Sequence, residues 1–223
     1  MPDLGPLWLS LQLAAITTVI LLALGTPLAW WLARTRSGLK PAIEALTALP
    51  LILPPTVIGF YLLILLNPTS PIGRFWLTLT GDTLTFSFTG LVVASVVYSL
   101  PFMVQPLQSA FESVGRAPLE AAASLGASPL DAFFSVAAPL SIRGFLTASI
   151  LSFAHTIGEF GVVLMVGGSI PGQTRVISIA IFEQVESLQY QDAHILSGLL
   201  IAFSFATLLL VYSLNRRFRI HVG

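Results

Sequence analysis

Two long uncharged stretches dominate this sequence. No charged residue occurs between Asp3 and Arg34, a stretch of 30 residues, and none occurs between Asp82 and Glu112, a stretch of 29 residues. A helix needs about 20 apolar residues to cross roughly 30 Å of hydrocarbon, whereas the strands of a membrane barrel are stretches of about 10 residues with alternating polarity. The two stretches therefore predict an all-α membrane protein.

The remaining composition narrows the functions that the chain can have. Charged residues make up 9% of the chain, against roughly 25% in soluble domains. Ten basic and ten acidic residues cancel, so the chain has no excess of positive charge with which to bind a nucleic acid. The absence of cysteine excludes a disulfide framework, a thiolate metal site and a cysteine nucleophile. No catalytic or metal-binding residues are predicted.

We predict about five membrane-spanning helices in one transmembrane domain, residues 1–223. The expected ranges are Leu7–Ala33, Ala42–Leu66, Gly90–Phe111, Gly144–Val166 and Ile195–Leu214. Basic residues concentrate on the inner side of a membrane. Eight of the ten lie at one set of helix ends, namely Arg34, Arg36, Lys40, Arg116, Arg143, Arg216, Arg217 and Arg219. The predicted topology therefore has the N-terminus outside and the C-terminus inside.

The two external connections have patterns of their own. Apolar and polar residues alternate near the end of residues 67–89, which predicts an extended loop or short strand at the membrane boundary. The alternating apolar residues are Leu84, Phe86 and Phe88. Residues 167–194 contain Val176–Phe182, an apolar run too short to cross a bilayer. An interfacial or re-entrant helix is expected there. Arg74 and Arg175, the external basic residues, either attract an anion or are ordinary solvated arginines.

The cytoplasmic loop of residues 112–143 predicts two short helices that meet at a sharp corner. Pro118 suits the first turn of one helix, and Gly126 suits a left-handed residue after its end. Ser128 suits the N-cap of a second helix. That helix is expected to end before Pro139, because proline lacks a backbone N–H and clashes inside a helix. Such a corner could dock into another protein, and an ordinary structured loop is the alternative.

The same loop resembles the EAA loop of binding-protein-dependent ABC importer permeases. The motif stands here as Glu120-Ala121-Ala122, three residues, Gly126, nine residues and Val136-Ala137-Ala138-Pro139. Val136 and Ala138 depart mildly from the Ile and Leu that the family prefers. The resemblance implies a type I ABC importer permease fold in which this loop couples to a separate ATP-binding subunit. The expected coupling residues are Glu120, Ala121, Ala122, Leu125, Gly126, Pro129, Leu130, Phe134 and Pro139.

The resemblance also implies a set of partners. The permease would form a homodimer in the bacterial plasma membrane, with two ATP-binding subunits that hold ATP and Mg²⁺. A periplasmic or lipid-anchored protein would deliver an oxyanion. No cofactor is expected in this chain.

A finer resemblance points to the molybdate permeases. Residues 49–60 read Leu-Pro-Leu-Ile-Leu-Pro-Pro-Thr-Val-Ile-Gly-Phe, and residues 157–161 read Ile-Gly-Glu-Phe-Gly. Both segments are similar to that subgroup, whereas sulfate permeases more often have Tyr in place of Phe160. Residues 170–175 are also similar, with Gln173 where Glu is expected. Tungstate, sulfate and thiosulfate remain alternative substrates.

The interrupted second span and an intramembrane carboxylate are candidate gate elements. Prolines free backbone carbonyls that lipid cannot satisfy, so the second helix is expected to kink and line the pore; a purely structural kink is the alternative. Glu159 lies in an apolar helix, where His155 could pair with it; hydration near the outer boundary is the alternative. The pore or gate candidates are Pro50, Pro54, Pro55, Gly158, Glu159, Phe160 and Gly161.

Missing motifs also bear on function. A P-loop requires Gly-Lys-Ser/Thr, but Lys40, the sole lysine, lies between Leu39 and Pro41. The ATPase is therefore expected to be a separate polypeptide, and the chain is not predicted to be an enzyme by itself. A secondary transporter driven by an ion gradient is the alternative from another class. Such proteins tend to contain inverted repeats, into which five spans do not divide.

Overall fold

Helices make up nearly all of the regular structure in the described part of the chain. The computed structural model describes residues 3–217, so Arg219 lies outside it. The helices are α1 (Gly5–Arg34), α2 (Lys40–Ile52), α3 (Pro55–Leu66), α4 (Pro71–Thr80), α5 (Phe88–Val114), α6 (Ala117–Ser124), α7 (Pro129–Leu140), α8 (Ile142–Gly158), α9 (Gly161–Gly167), α10 (Ile177–Glu186) and α11 (Tyr190–Arg217). Residues 3–217 contain no β-strand, which confirms the all-α prediction.

Three helices are long and apolar enough to cross a membrane alone. They are α1, α5 and the Tyr190–Leu210 part of α11. Two bent pairs reach the same length and apolarity together: α2 with α3, which are bent by 112°, and α7 with α8, which are bent by 73°. The described residues thus hold three to five candidate spans, and the prediction of about five agrees with the upper number.

Two of the predicted spans are broken. An interruption of the second span was predicted from its prolines, whereas the prediction of one continuous helix for the fourth span was wrong. The span predicted over 42–66 divides after Leu53, where ψ is 140°. The span predicted over 144–166 divides after Glu159, where ψ is 133°. Average hydropathy reports how apolar a segment is but not its backbone direction, so it did not reveal the break in the fourth span.

The centre of the molecule is formed where α1, α5 and α8 pack together. Because all three helices carry apolar residues on the facing sides, their contacts form a continuous buried cluster toward one end of the bundle. Its members are Leu21, Ala29, Leu32, Met103, Val104, Leu107, Phe111 and Ala148. The end of this cluster at Phe111 lies beside the connection that holds α6 and α7.

A second cluster holds the C-terminal pieces of the two broken spans together. Here α3 packs against α9, and the middle of the cluster is completed by residues of α5 and of the segment before it. The buried members are Ile58, Leu62, Leu66, Leu84, Ala94, Val162 and Val166. These two short helices therefore form one packed unit, which lies beyond the breaks at Leu53 and Glu159.

The connection over residues 67–89 contains a helix, so the extended loop or short strand predicted there was wrong. Ser70 caps α4, because its Oγ accepts a hydrogen bond from the Gly73 N–H at 2.9 Å. Gly81 ends the helix with φ +80°. The alternating segment does not pair as a strand; Phe86 has φ +58° and its N–H donates to the Val166 carbonyl at 2.9 Å.

The connection over residues 167–194 contains the short helix that was predicted. Helix α10 has 10 residues, too few to span a bilayer. Its first residue, Ile177, donates its N–H to Ser10 Oγ of α1 at 2.8 Å. Arg175, just before the helix, pairs with Glu183 at 2.9 Å between Nε and Oε2. The hydrogen bond to Ser10 attaches α10 to α1, while the ion pair holds Arg175 against α10 itself.

Candidate functional site

Helices α6 and α7 meet at a sharp corner, as the sequence predicts. Gly126 has φ +89°, in the left-handed region that a side chain rarely adopts. The N–H of Ala127 reaches back to the Ala122 carbonyl at 3.0 Å across this residue. Ser128 Oγ then accepts a hydrogen bond from the Asp131 N–H at 3.2 Å, so it caps α7 as expected.

The corner is attached to the ends of the two central helices. Leu119, Ala132 and Ala137 are buried in a small cluster that also contacts Trp30 of α1. The Trp30 ring meets the rings of Phe111 and Phe133 edge-on, each at 5.1 Å between centroids. Packed aromatic side chains therefore connect the corner to α1 and α5.

The outward side of the corner carries unpartnered apolar side chains. Leu125 is 90% exposed, Leu130 is 71% exposed and Phe134 is 65% exposed. Leu130 and Phe134 also line an apolar groove of about 870 Å³ between the corner and α1. The other expected coupling residues at the surface are Glu120, Ala121, Gly126, Pro129 and Pro139, while Ala122 is half-buried. This surface has the composition of a protein docking site.

The prediction that the second corner helix ends before Pro139 was wrong. A π-helical turn at Phe133–Ala137 lies inside α7, and the Ala138 N–H bonds to the Phe133 carbonyl. In a regular α-helix the Pro139 ring would clash with the carbonyl four residues earlier. The wider π turn changes that spacing, so the helix continues to Leu140.

The first break lies at the proline pair and not at Pro50. Helix α2 continues through Pro50 to Ile52. Leu53 and Pro54 are extended, with ψ of 140° and 138°, and Pro55 opens α3. The expected kink is therefore a break with a turn of 112°, and it exposes polar backbone groups that an unbroken helix would satisfy internally.

The two breaks meet in space, which brings together candidates that are distant in the sequence. A Cβ placed on Gly161 would lie 2.8 Å from Cβ of Pro55, and one placed on Gly59 would lie 2.7 Å from Cβ of Met165. Glycine is therefore required for the close approach of α3 and α9. By contrast, a Cβ on Gly158 would meet nothing within 4 Å.

Glu159 occupies the second break and is buried. Its side chain lies near Ser95 of α5, it is 4% exposed, and neither carboxyl oxygen has a hydrogen-bond partner among the described residues. Ser178 donates its hydroxyl proton to the Glu159 backbone carbonyl. Burying a carboxyl group without a hydrogen-bond partner costs free energy. The packing of the surrounding residues therefore imposes the position of Glu159.

In the described part of the chain, Glu159 and His155 do not form the ion pair that was predicted. His155 Nδ1 instead lies 2.9 Å from Ser99 Oγ, and its ring stacks on Phe102 with 4.0 Å between centroids. The prediction assumed that residues four apart share a helix face. Because α8 ends at Gly158, Glu159 no longer follows that geometry.

A polar network at the corner end of the bundle was missed by the sequence analysis. Lys40 Nζ lies 3.3 Å from Glu112 Oε1 and 3.6 Å from Glu44 Oε1. Gln108 donates to both carboxylates, at 2.7 Å to Glu44 and 3.0 Å to Glu112. The network joins the start of α2 to the end of α5. Lys40, the sole lysine of the chain, was the available sign of such a network. Its partner Glu112 is 72 positions away, so the sequence did not reveal the contact.

Comparison with known proteins now identifies the family. The model of the family described as "binding-protein-dependent transport system inner membrane component" matches residues 25–221. The chain belongs to this family. As an inner membrane component with several apolar helices, it is a multi-pass membrane protein.

Individual relatives of this inner membrane component cover most of its length. It is 58% identical over 217 residues to the molybdenum transport system permease protein ModB of Azotobacter vinelandii, covering 97% of this chain and 96% of the relative. A probable sulfate transport system permease protein of Zygnema circumcarinatum is 35% identical over 200 residues, covering 89% of this chain and 68% of the relative.

Solved structures show the same fold at low sequence identity. A bacterial alginate ABC transporter, in complex with an alginate-bound periplasmic protein, superposes with a TM-score of 0.74 and 14% identity. The match covers 96% of this inner membrane component and 78% of the solved chain. The helical arrangement described above is therefore the fold of this solved ABC transporter chain.

Proposed function

We propose that this chain is the membrane-spanning permease subunit of an ABC importer that moves molybdate inward. The observation that carries the proposal is the rigid, capped corner whose apolar side chains are exposed on a membrane protein of this family. The substrate follows from the relative named as a molybdenum permease, which is 58% identical over almost the whole chain. The proposal makes the chain a transport subunit, not an enzyme.

Coupling to ATP would pass through the corner. Leu125, Leu130 and Phe134 dock into a groove of an ATP-binding subunit, which holds ATP and Mg²⁺. When two such subunits close, the corner moves with them and carries the inner ends of α1 and α5 through Trp30. Helix α5 extends from this end to Ala94, which contacts α3 and α9. It therefore links the docking surface to both breaks.

The gate would be built around the place where the breaks meet. Pro54, Pro55, Glu159 and Gly161 lie at the ends of α3 and α9, which pack as one unit. Rotation of this unit at the two breaks would change the path between the outer and inner sides. Such rigid-body movement at a few extended residues is a common hinge mechanism. In a homodimer, two copies would flank a central path for the anion.

The complete importer would comprise two permease chains, two ATP-binding subunits and an external oxyanion-binding protein. The complex of the alginate transporter with a periplasmic protein supports this arrangement. The proposed location is the bacterial plasma membrane, with the N-terminus outside and the corner inside. Residues 1–223 would act as a single transmembrane domain.

Tungstate and sulfate are the competing substrates. The 35% identity to a probable sulfate permease supports the sulfate alternative more weakly than 58% supports molybdate. All three anions are tetrahedral dianions, so selection would rest mainly with the external binding protein. A secondary transporter is disfavoured because the family depends on a binding protein.

The substrate is tested by ATPase stimulation in reconstituted vesicles. The purified permease and ATP-binding subunits are combined with the binding protein loaded with molybdate, tungstate or sulfate. We expect molybdate-loaded protein to stimulate hydrolysis and anion uptake most strongly. Equal stimulation by sulfate would contradict the substrate assignment, and a permease that does not co-purify with an ATPase would contradict the ABC mechanism.

The docking surface is tested separately with Leu125→Ser. Because Leu125 is 90% exposed, its replacement should leave the permease folded and weaken co-purification of the ATP-binding subunit. The matched control is Leu39→Ser, in the connection beside Lys40, where the leucine is 65% exposed at the same end of the bundle. Equal retention of the ATPase by both variants would refute the docking assignment.

A further inference from the structure

The faces of helix α4 are chemically distinct. Ile72, Phe75 and Leu79 are spaced at i, i+3 and i+7, so they lie on one face; they are 47%, 67% and 68% exposed. Arg74 and Thr78 are also exposed and, at a spacing of four, form a polar strip that borders the apolar one. The helix thus has an apolar face and a polar face, and nothing in the described part of the chain covers the apolar one.

Helix α4 is held rigidly against the outer end of α3. Ser70 Oγ donates to the Leu65 carbonyl at 2.6 Å while it accepts from the Gly73 N–H. A Cβ on Gly73 would lie 2.0 Å from the Asn67 carbonyl oxygen, so the helix approaches this turn as closely as glycine permits. Trp76 packs against the cluster formed by α3 and α9. The orientation of α4 is therefore set by α3.

The helix that precedes α4 also carries exposed apolar side chains. Phe60, Tyr61 and Ile64 of α3 are 49%, 66% and 53% exposed. Four residues separate α3 from α4, and the apolar face of α4 begins with Ile72, the second residue of that helix. Helix α4 follows the end of a span and keeps an apolar face exposed. A helix with these two features lies at the depth of the lipid headgroups.

We infer that α4 is an interfacial helix that binds the outer surface of the phospholipid bilayer. Ile72, Phe75 and Leu79 insert between the upper acyl chains, and the Arg74 guanidinium binds lipid phosphate. Arginine suits this role because it presents several donors to phosphate oxygens while its stem stays in apolar surroundings. The helix then anchors α3, and with it the packed α3–α9 unit, at a constant depth.

Lipid is favoured over a soluble protein as the occupant of this face because α4 directly follows α3, which is part of a candidate membrane span and carries exposed apolar residues of its own. Membrane-surface helices combine an apolar face with a basic residue on the polar side, and α4 has this combination. The inference depends on membership of a membrane-protein family and not on the transported anion. Its failure would therefore leave the proposed substrate untouched.

The inference is tested by spin labelling, for which the cysteine-free sequence gives no background. Phe75→Cys places a label on the apolar face of α4, and Asp82→Cys, at an exposed position just after the helix, provides the water-facing control. The permease is reconstituted in vesicles of phosphatidylethanolamine and phosphatidylglycerol, and label accessibility to oxygen and to a water-soluble nickel chelate is measured. We expect the label at 75 to favour oxygen and the label at 82 to favour nickel.

Several outcomes would overturn the inference. Equal nickel accessibility at both positions would show that the apolar face is in water. Protection of the label at 75 only after addition of the binding protein would assign the face to that protein instead. If Phe75→Cys fails to fold, Leu79→Cys on the same face provides the same comparison. Arg74→Gln is expected to make the label at 75 less immobilised; an unchanged spectrum would refute the phosphate contact.

Discussion

Two glycines three positions apart show how differently the same residue type can act. Gly161 allows the backbone of α9 to approach Pro55, because an added Cβ would lie 2.8 Å from the proline Cβ. Gly158 ends α8 in open space, with nothing within 4 Å of an added Cβ. The sequence shows both glycines beside Glu159 but does not show which one is in a close contact.

This contrast predicts unequal effects of the same substitution. Gly161→Ala should destabilise the permease by about 1–3 kcal/mol through overpacking and should reduce transport by forcing the breaks apart. Gly158→Ala, with open space around it, should be tolerated. Thermal unfolding in detergent and anion uptake in vesicles would be compared for the two variants. Similar stability and uptake for both would show that the Pro55–Gly161 contact does not hold the breaks.

The buried carboxyl group of Glu159 predicts a second residue-scale effect. Glu159→Gln keeps the size and shape of the side chain but cannot ionise, so it separates packing from charge. We expect normal protein levels with strongly reduced uptake if this group participates in the gate. Uptake would be measured in vesicles at equal permease content. Uptake equal to that of the unmodified permease would eliminate the gate role.

At the scale of elements, the corner was predictable because its signals are local. The cap at Ser128 and the left-handed Gly126 depend on hydrogen bonds to residues within a few positions. The coupling role assigned to this corner remains a prediction. Its fold, however, is stabilised by contacts that can be tested one at a time.

Ser128→Ala removes the N-cap of α7 and should cost about 1 kcal/mol of local stability. A loosened corner should lower ATPase stimulation while leaving the spans intact. Ser124→Ala is the control, because Ser124 Oγ donates to the Glu120 carbonyl of its own helix and caps nothing. Hydrogen exchange of the α7 amides would measure the effect. Unchanged exchange in Ser128→Ala would contradict a stabilising cap.

The helix breaks were only partly predictable from the prolines. Pro27 lies inside α1, and Pro101 and Pro106 lie inside α5, without ending either helix. The difference at the first break is the proline pair, since a residue before proline is disfavoured in the α conformation. In this pair Pro54 is itself followed by proline, so both Leu53 and Pro54 become extended. The second break contains no proline and could not be recognised by this signal.

At the scale of the whole molecule, the membrane orientation remains a prediction from the distribution of basic residues. The native chain has no cysteine, so introduced cysteines report sidedness directly. Gly38→Cys lies in an open position at the corner end, and Asp82→Cys lies exposed just after α4. A membrane-impermeant maleimide should label Asp82→Cys in right-side-out vesicles and Gly38→Cys in inverted vesicles. The reverse pattern would invert the topology.

The sequence by itself determined the class of this protein and its local structure. The apolar stretches specify membrane helices, and the capping residues specify the corner, because both signals depend on residues that are close in the chain. Only the tertiary structure decided that Pro55 meets Gly161, that Glu159 leaves the helix face of His155, and that α4 presents an apolar face outward. These features arise from packing between distant segments, whose geometry no local pattern encodes.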